Sequence, residues 1–206
     1  YYARFKDPGF AYCHALAKTT GRAALRMANA DIVPFDFRSL HKTIQGYAGE
    51  VMALTDQLRE TTAVENQLIA EKKYVLAADP TEVYHAPTAK EPVPYLDFSS
   101  LQNALAALEK AANSNATAIA KQQGSASLNQ ALYKAEQVLL SPNGLPRRAW
   151  YRHTIYAPGF YTGYGVKTLP GIREAIEQRE WKEAQEQIKI TAAAIQDLAN
   201  YLAAIK

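Results

Sequence analysis

A chain of 206 residues, 48% apolar and 21% charged, is long enough to bury a real core and has the composition of a folded protein. Its 23 Lys and Arg exceed its 20 Asp and Glu by only three, too small an excess to point to nucleic acid or an acidic membrane as partner. A single cysteine, Cys13, excludes an intrachain disulfide and leaves the redox compartment unread.

The chain opens Tyr1-Tyr2-Ala3-Arg4-Phe5, with neither an initiator methionine nor a signal-peptide apolar region, and is read as starting inside a longer polypeptide. No apolar run approaches the roughly 18–20 residues of a membrane span. A first helix is expected from about Phe10 to Ala30. It carries small residues on one face (Ala17, Gly21, Ala24, Ala28), and Leu16, Thr20, Ala23 and Met27 on another. Small side chains let helix axes approach closely, so this helix is expected to lie sandwiched between others. Cys13 shares the second face and is read as a buried structural thiol rather than a nucleophile.

A second helix follows the stripe Phe37, Leu40, Ile44, Tyr47, Val51, Leu54, Leu58, whose spacing of three and four marks one buried face. Asp36 is its N-cap, and Pro34 helps end what precedes it. Residues Thr61 to Ala77 extend the helix on a weaker stripe. From Ala78 to Leu96, Pro80, Pro87, Pro92 and Pro94 break the rhythm, and the segment reads as a surface excursion. Phe98, Leu101, Leu105, Leu108, Ala112 and Ile119 predict a third helix that stops by Gly124. Leu128, Leu132, Ala135 and Leu139 predict a shorter fourth. Ser141 to Pro170 is a loop with four prolines and four glycines, too aromatic for disorder and too long to be left untied. Trp181, Ala184, Ile188, Ile195, Leu198, Leu202 and Ile205 define the last helix, with Thr191 the only polar member of the series. The fold class is therefore all-α: a four- to five-helix bundle with a long aromatic-rich loop before the last helices, in one domain over residues 1–206.

Side chains for chemistry are sparse. His14, His41, His85 and His153 are far apart in sequence, and none has metal-ligand spacing. There is no nucleophile elbow, phosphate loop or dinucleotide fingerprint. The aromatic loop admits three readings: a stacking surface for single-stranded nucleic acid, a segment packed over the bundle, or a segment docked on another domain with a polar tip toward a ligand there. Ile190, Ala194 and Tyr201 lie off the main stripe of the last helix and are candidates for contact with an identical partner.

One stretch carries a resemblance. Leu145-Pro146-Arg147-Arg148-Ala149-Trp150-Tyr151-Arg152-His153-Thr154-Ile155-Tyr156-Ala157-Pro158 is followed by Leu169-Pro170-Gly171-Ile172. This resembles the segment before the last helices of the transferrin receptor and glutamate carboxypeptidase family of zinc peptidases. There, Leu-Pro-x-Arg runs through an aromatic, Arg-His and Ile-Tyr-Ala-Pro to Phe-Pro-Gly-Ile. Asp7-Pro8-x-Phe10, Gly21-Arg22, Leu25-Arg26-Met27-Ala28-Asn29 and Val33-Pro34-Phe35-Asp36 give a second match, and Trp181 to Ile205 resembles the family's last helix. The likeness covers nearly the whole chain in the same order and departs at about Asp56 to Leu96, where this chain is longer than the human-type enzymes.

The resemblance implies a C-terminal helical domain that builds a homodimer and lies downstream of a peptidase domain and a protease-associated domain. It implies no cofactor in this chain, since the family's zinc ligands lie upstream, and no hydrolysis by the chain alone. Nucleic acid and membrane are not among the partners it implies for this segment, and its parent would be extracytoplasmic. The transferrin receptor branch has lost catalysis, so a receptor ectodomain fragment is the alternative. In the peptidase members a Lys-Tyr pair in the loop helps hold the free carboxylate of the substrate. The tyrosine position falls on Tyr164, but the lysine position falls on Gly163, and Lys167 is the replacement cation nearest in sequence.

Overall fold

The computed structural model describes residues 1–205, and its regular elements are helices apart from one two-stranded hairpin. After a π-turn (Tyr2–Lys6) and a 3-10 turn (Pro8–Phe10) come α1 (Ala11–Ala28), α2 (Phe37–Ala70), the single turn α3 (Lys73–Leu76), α4 (Ser99–Ile119) and α5 (Ala126–Lys134). A 3-10 turn (Ala135–Leu139), strands β1 (Tyr156–Pro158) and β2 (Val166–Thr168), α6 (Pro170–Glu177) and α7 (Trp181–Ala204) complete the order. None of these helices is long and apolar enough to cross a membrane.

The centre of the bundle is α7, which packs along α4 and is flanked by α6 and the 3-10 turn, with α2 on the far side of α4. Ile188, Ile195 and Leu198 are wholly enclosed, as the stripe predicts. Thr191 belongs to the buried set as well. On α2 the seam is rotated from the expected one. Phe37, Ile44 and Val51 are buried together with His41, Ala48 and Thr55, while Leu40, Tyr47, Leu54 and Leu58 flank it half-buried. Ala48 and Thr55 are small enough to admit α4, and the Thr55 hydroxyl returns its bond to the Val51 carbonyl at 3.0 Å. Asp36 caps α2 as expected, its carboxylate accepting from the Arg38 amide at 3.1 Å.

The helix expected through Leu139 leaves α-geometry at Ala135. The Leu139 carbonyl is taken by the Thr154 amide (3.1 Å) and hydroxyl (2.9 Å), which tie the turn to the loop beyond. Residues 77–98 contain neither helix nor strand, yet are strapped to the bundle. The Asn66 side chain pairs with both backbone groups of Lys90 (2.7 and 2.9 Å), and Gln185 does the same for Asp97 (3.0 and 2.8 Å). Val93 and Leu96 turn into the interior.

The first helix departs from expectation. It buries none of its residues, and Leu16 and Leu25 are 69% and 64% exposed. Cys13 is exposed rather than buried, its sulfur 3.4 Å from the Tyr2 hydroxyl. Small residues say that a close neighbour would fit; they do not say that this chain supplies it. What holds the helix start is Asp7, whose buried carboxylate accepts from the amides of Tyr12 and Cys13, both at 2.9 Å.

Candidate functional site

The loop from Ser141 to Pro170 is an ordered structure built in two storeys. The lower storey is a set of backbone bonds: Ser141 N–H to Arg152 O (2.7 Å), Leu145 N–H to Tyr151 O (2.8 Å) and Leu169 N–H to Ile155 O (2.7 Å). Leu139, Leu145, Ile155 and Leu169 fill the space beneath it. The upper storey is the hairpin of β1 and β2, in antiparallel register with Tyr156 opposite Thr168 and Pro158 opposite Val166. Gly159 N–H to Gly165 O (2.8 Å) and Gly163 N–H to Gly159 O (3.1 Å) close its tip. Strands of three residues carry too little alternation to be read from sequence, which is why the hairpin appears only in the fold.

Two neighbouring arginines root the loop in different helices. Arg147 adopts a left-handed backbone (φ 61°) just after Pro146, and its guanidinium forms a two-pronged pair with Glu183 of α7 at 2.9 and 2.8 Å. Arg148 is buried. It donates to the Pro158 carbonyl and, at 2.6 Å, to Glu174 of α6. The other oxygen of Glu174 accepts from the Phe160 amide at 2.7 Å. Beside this pair lies an open, largely apolar cleft of about 440 Å³, lined by Arg147, Arg148, Trp150, Tyr151 and Phe160 among others. The Arg147 and Arg148 guanidinium carbons stand 5.7 and 5.8 Å from the Phe160 ring centre.

A second polar cluster sits at the root of the hairpin. The His153 and Tyr156 rings stack with centres 4.2 Å apart. The Tyr156 hydroxyl donates to Glu136, and Nε2 of His153 lies 3.4 Å from the same carboxylate. Nδ1 accepts the Ile155 amide at 3.2 Å. Burial pushes the His153 pKa down against the pull of Glu136. The hydrogen bond to Glu136 pushes the Tyr156 phenol up to about 12.

The residues singled out from sequence fall as follows. Tyr164 stands at the hairpin tip, fully exposed. Lys167 is on β2 and half-buried, its ammonium held by both oxygens of Glu177 at 2.7 and 2.8 Å. Ala194 is enclosed by the bundle, and Tyr201 is half-buried with its hydroxyl donated to the Ala131 carbonyl at 3.1 Å. Ile190 is half-buried. All three lie on α7. Sequence reading gave Arg148, the Arg of the Leu-Pro-x-Arg run, no role of its own and missed Glu174 and Glu136. Glu174 also carried a signal, a charge set among the buried Ile172, Ala175 and Ile176 of one short helix. Among the described residues no group of three or more His, Cys, Asp or Glu converges as metal ligands would.

The sequence model of the transferrin receptor-like dimerisation domain matches residues 96–203, just over half of the chain. Over 200 residues the chain is 30% identical to a probable glutamate carboxypeptidase of Arthroderma benhamiae, covering 97% of this chain and 24% of that protein. A probable glutamate carboxypeptidase of Arabidopsis thaliana is 28% identical over 93% of this chain and 24% of its own length. Aminopeptidase NAALADL1 of Mus musculus is 24% identical over 98% of this chain and, again, 24% of its own. The chain thus spans about a quarter of the length of the curated relatives it matches.

Proposed function

The chain belongs to the family of transferrin receptor-like dimerisation domains, and from that premise we propose that it is the non-catalytic helical domain through which two copies of a zinc-dependent, glutamate carboxypeptidase-like peptidase associate. The observation that carries this reading is the family match itself. Residues 96–203 are the segment from α4 to α7, whose packing forms the centre of the bundle. Relatives named as carboxypeptidases and an aminopeptidase support a peptidase parent over a receptor ectodomain.

In this reading the zinc and its ligands sit in a peptidase domain outside this chain, and the chain alone hydrolyses nothing. The loop of residues 141–170 packs against that domain. Trp150, Tyr161 and Tyr164 supply aromatic surface for the contact: all three are more than half exposed, and aromatic side chains are enriched where protein surfaces meet. At the tip, the Tyr164 hydroxyl donates to the substrate's free carboxylate, a bond of about 1.5–3 kcal/mol because the acceptor is charged. Lys167 can add a cation only by leaving Glu177. With Gly163 at the place of the family's lysine, carboxylate recognition rests on Tyr164 first.

Two measurements test this. Sedimentation of the peptidase-linked polypeptide should give twice its chain mass, and deletion of residues 96–203 should return it to monomer; a dimer that survives the deletion overturns the reading. Peptidase assays should detect turnover only when the upstream domain is present, and hydrolysis by the 22.8 kDa chain alone would contradict the assignment.

A further inference from the structure

Glu174 has no part in dimerisation or catalysis as described above, yet both of its oxygens are spent on the substrate loop. One accepts from the Phe160 amide at 2.7 Å, the other from Arg148 at 2.6 Å, and Arg148 also donates to the Pro158 carbonyl. Arg148 and the Phe160 amide are therefore bonded to a single carboxylate, and Pro158 is joined to it through Arg148. That carboxylate stands on a fixed base. The first turn of α6 buries Pro170, Gly171 and Ile172, and the helix packs along α7.

The hairpin cannot hold its own shape. Two strands of three residues are marginal by themselves. Its tip includes Gly159, Gly163 and Gly165, which lose the most conformational freedom on ordering. We infer that Glu174 is a positioning residue for substrate recognition: through the Phe160 amide and Arg148 it sets where the hairpin holds Tyr164. The inference rests on the proposed contact between Tyr164 and a substrate carboxylate. A binding group acts at full strength only when its supporting shell keeps it within a fraction of an ångström of its target.

The test uses the peptidase-linked polypeptide, with paired substrates ending in a free carboxylate or in the amide. Glu174→Gln keeps the volume and an oxygen for Phe160 but turns an amide group toward Arg148. The expected result is a KM for the carboxylate substrate raised about tenfold, the worth of one charge-assisted hydrogen bond. Turnover number and the amide substrate should be unchanged. In a Tyr164→Phe background the same substitution should add nothing, because its effect passes through Tyr164. Additive effects, or equal losses on both substrates, overturn the positioning role while leaving the carboxylate contact standing. A silent Tyr164→Phe overturns the contact itself, and the positioning role with it. If Glu174→Gln does not fold, hydrogen exchange of the Phe160 amide in the unaltered protein decides. Protection comparable to α7 is expected, and exchange as fast as an unbonded loop amide overturns the clamp.

Discussion

Arg148 and Glu174, 26 residues apart, form an ion pair 2.6 Å long with side chains only 6% and 7% exposed. Glu174 spends both oxygens on Arg148 and the Phe160 amide, and Arg148 spends its two terminal nitrogens on Pro158 and Glu174, so neither tolerates losing its partner. Removing one side of a buried pair strands the other charge, at a cost of about 3–5 kcal/mol. Glu174→Ala and Arg148→Ala should each lower stability by that amount in urea unfolding of the isolated chain. The double replacement by Leu and Met should recover most of it, since a well-packed apolar pair serves as well as a buried ionic one. A single substitution costing less than about 1 kcal/mol would show the pair to be dispensable.

His153 should make the fold sensitive to mild acid. Its Nδ1 already accepts the Ile155 amide, so the neutral ring carries its proton on Nε2, facing Glu136. Tyr156 stacks on the ring, and Tyr47 is the further titratable group acting on Tyr156. Burial lowers its pKa below the ordinary 6.5. The unfolded chain then binds a proton near pH 6.5 that the folded chain refuses. Stability therefore falls as pH drops below that value and levels off once the folded ring titrates. His153→Gln should flatten this part of the curve. Identical pH profiles for the two proteins, followed by urea midpoints, would reject the assignment.

At the alkaline end the same cluster has the opposite sign. Tyr156 is held protonated up to about 12 by its bond to Glu136, against an ordinary value of 10.0. Unfolded tyrosine ionises first, so stability contributed by Tyr156 is lost as pH rises from 10.0 towards about 12. Ultraviolet titration of Glu136→Gln should show one phenol ionising earlier than in the parent chain. No shifted tyrosine in the difference spectrum would contradict the bond.

Gly144 stands at a turn with φ +69°, and a Cβ there would lie 2.1 Å from the Ala149 carbonyl oxygen. Both the left-handed backbone and the contact oppose any side chain. Gly144→Ala should cost at least about 2 kcal/mol, or roughly 4–8 °C in melting temperature for a chain of this size. An unchanged melting point would mean that the turn can relax without penalty.

Removal of residues 1–28 should leave the melting temperature of the remainder within about 2 °C, because α1 buries nothing. The cut falls before Asp31, whose carbonyl accepts from the Asn129 side chain at 3.0 Å, and before Val33, whose amide donates to Asn129 at 2.8 Å. A large fall, measured by circular dichroism, would reveal stabilisation by α1 that its exposure does not suggest.

Sequence by itself determined the long helices and the inward faces of α4 and α7, though not the seam of α2, which is rotated from its stripe. The stripes at Leu101, Leu105 and Leu108 and at Ile188, Ile195 and Leu198 are buried as spaced, and Asp36 is the cap it reads as. These follow from a period of 3.6 residues and from side chains bonding amides two or three places away, both local facts. The family was legible because the run from Leu145 to Pro158 is a motif carried by the sequence itself. Only the tertiary structure decided that α1 stands uncovered, that Lys167 is engaged by Glu177, and that Glu174 gathers Arg148 and Phe160. Each depends on which distant group arrives at a position. An ion pair across 26 residues, or a helix face awaiting a neighbour, has no periodicity of its own and becomes visible only when packing brings the partners together.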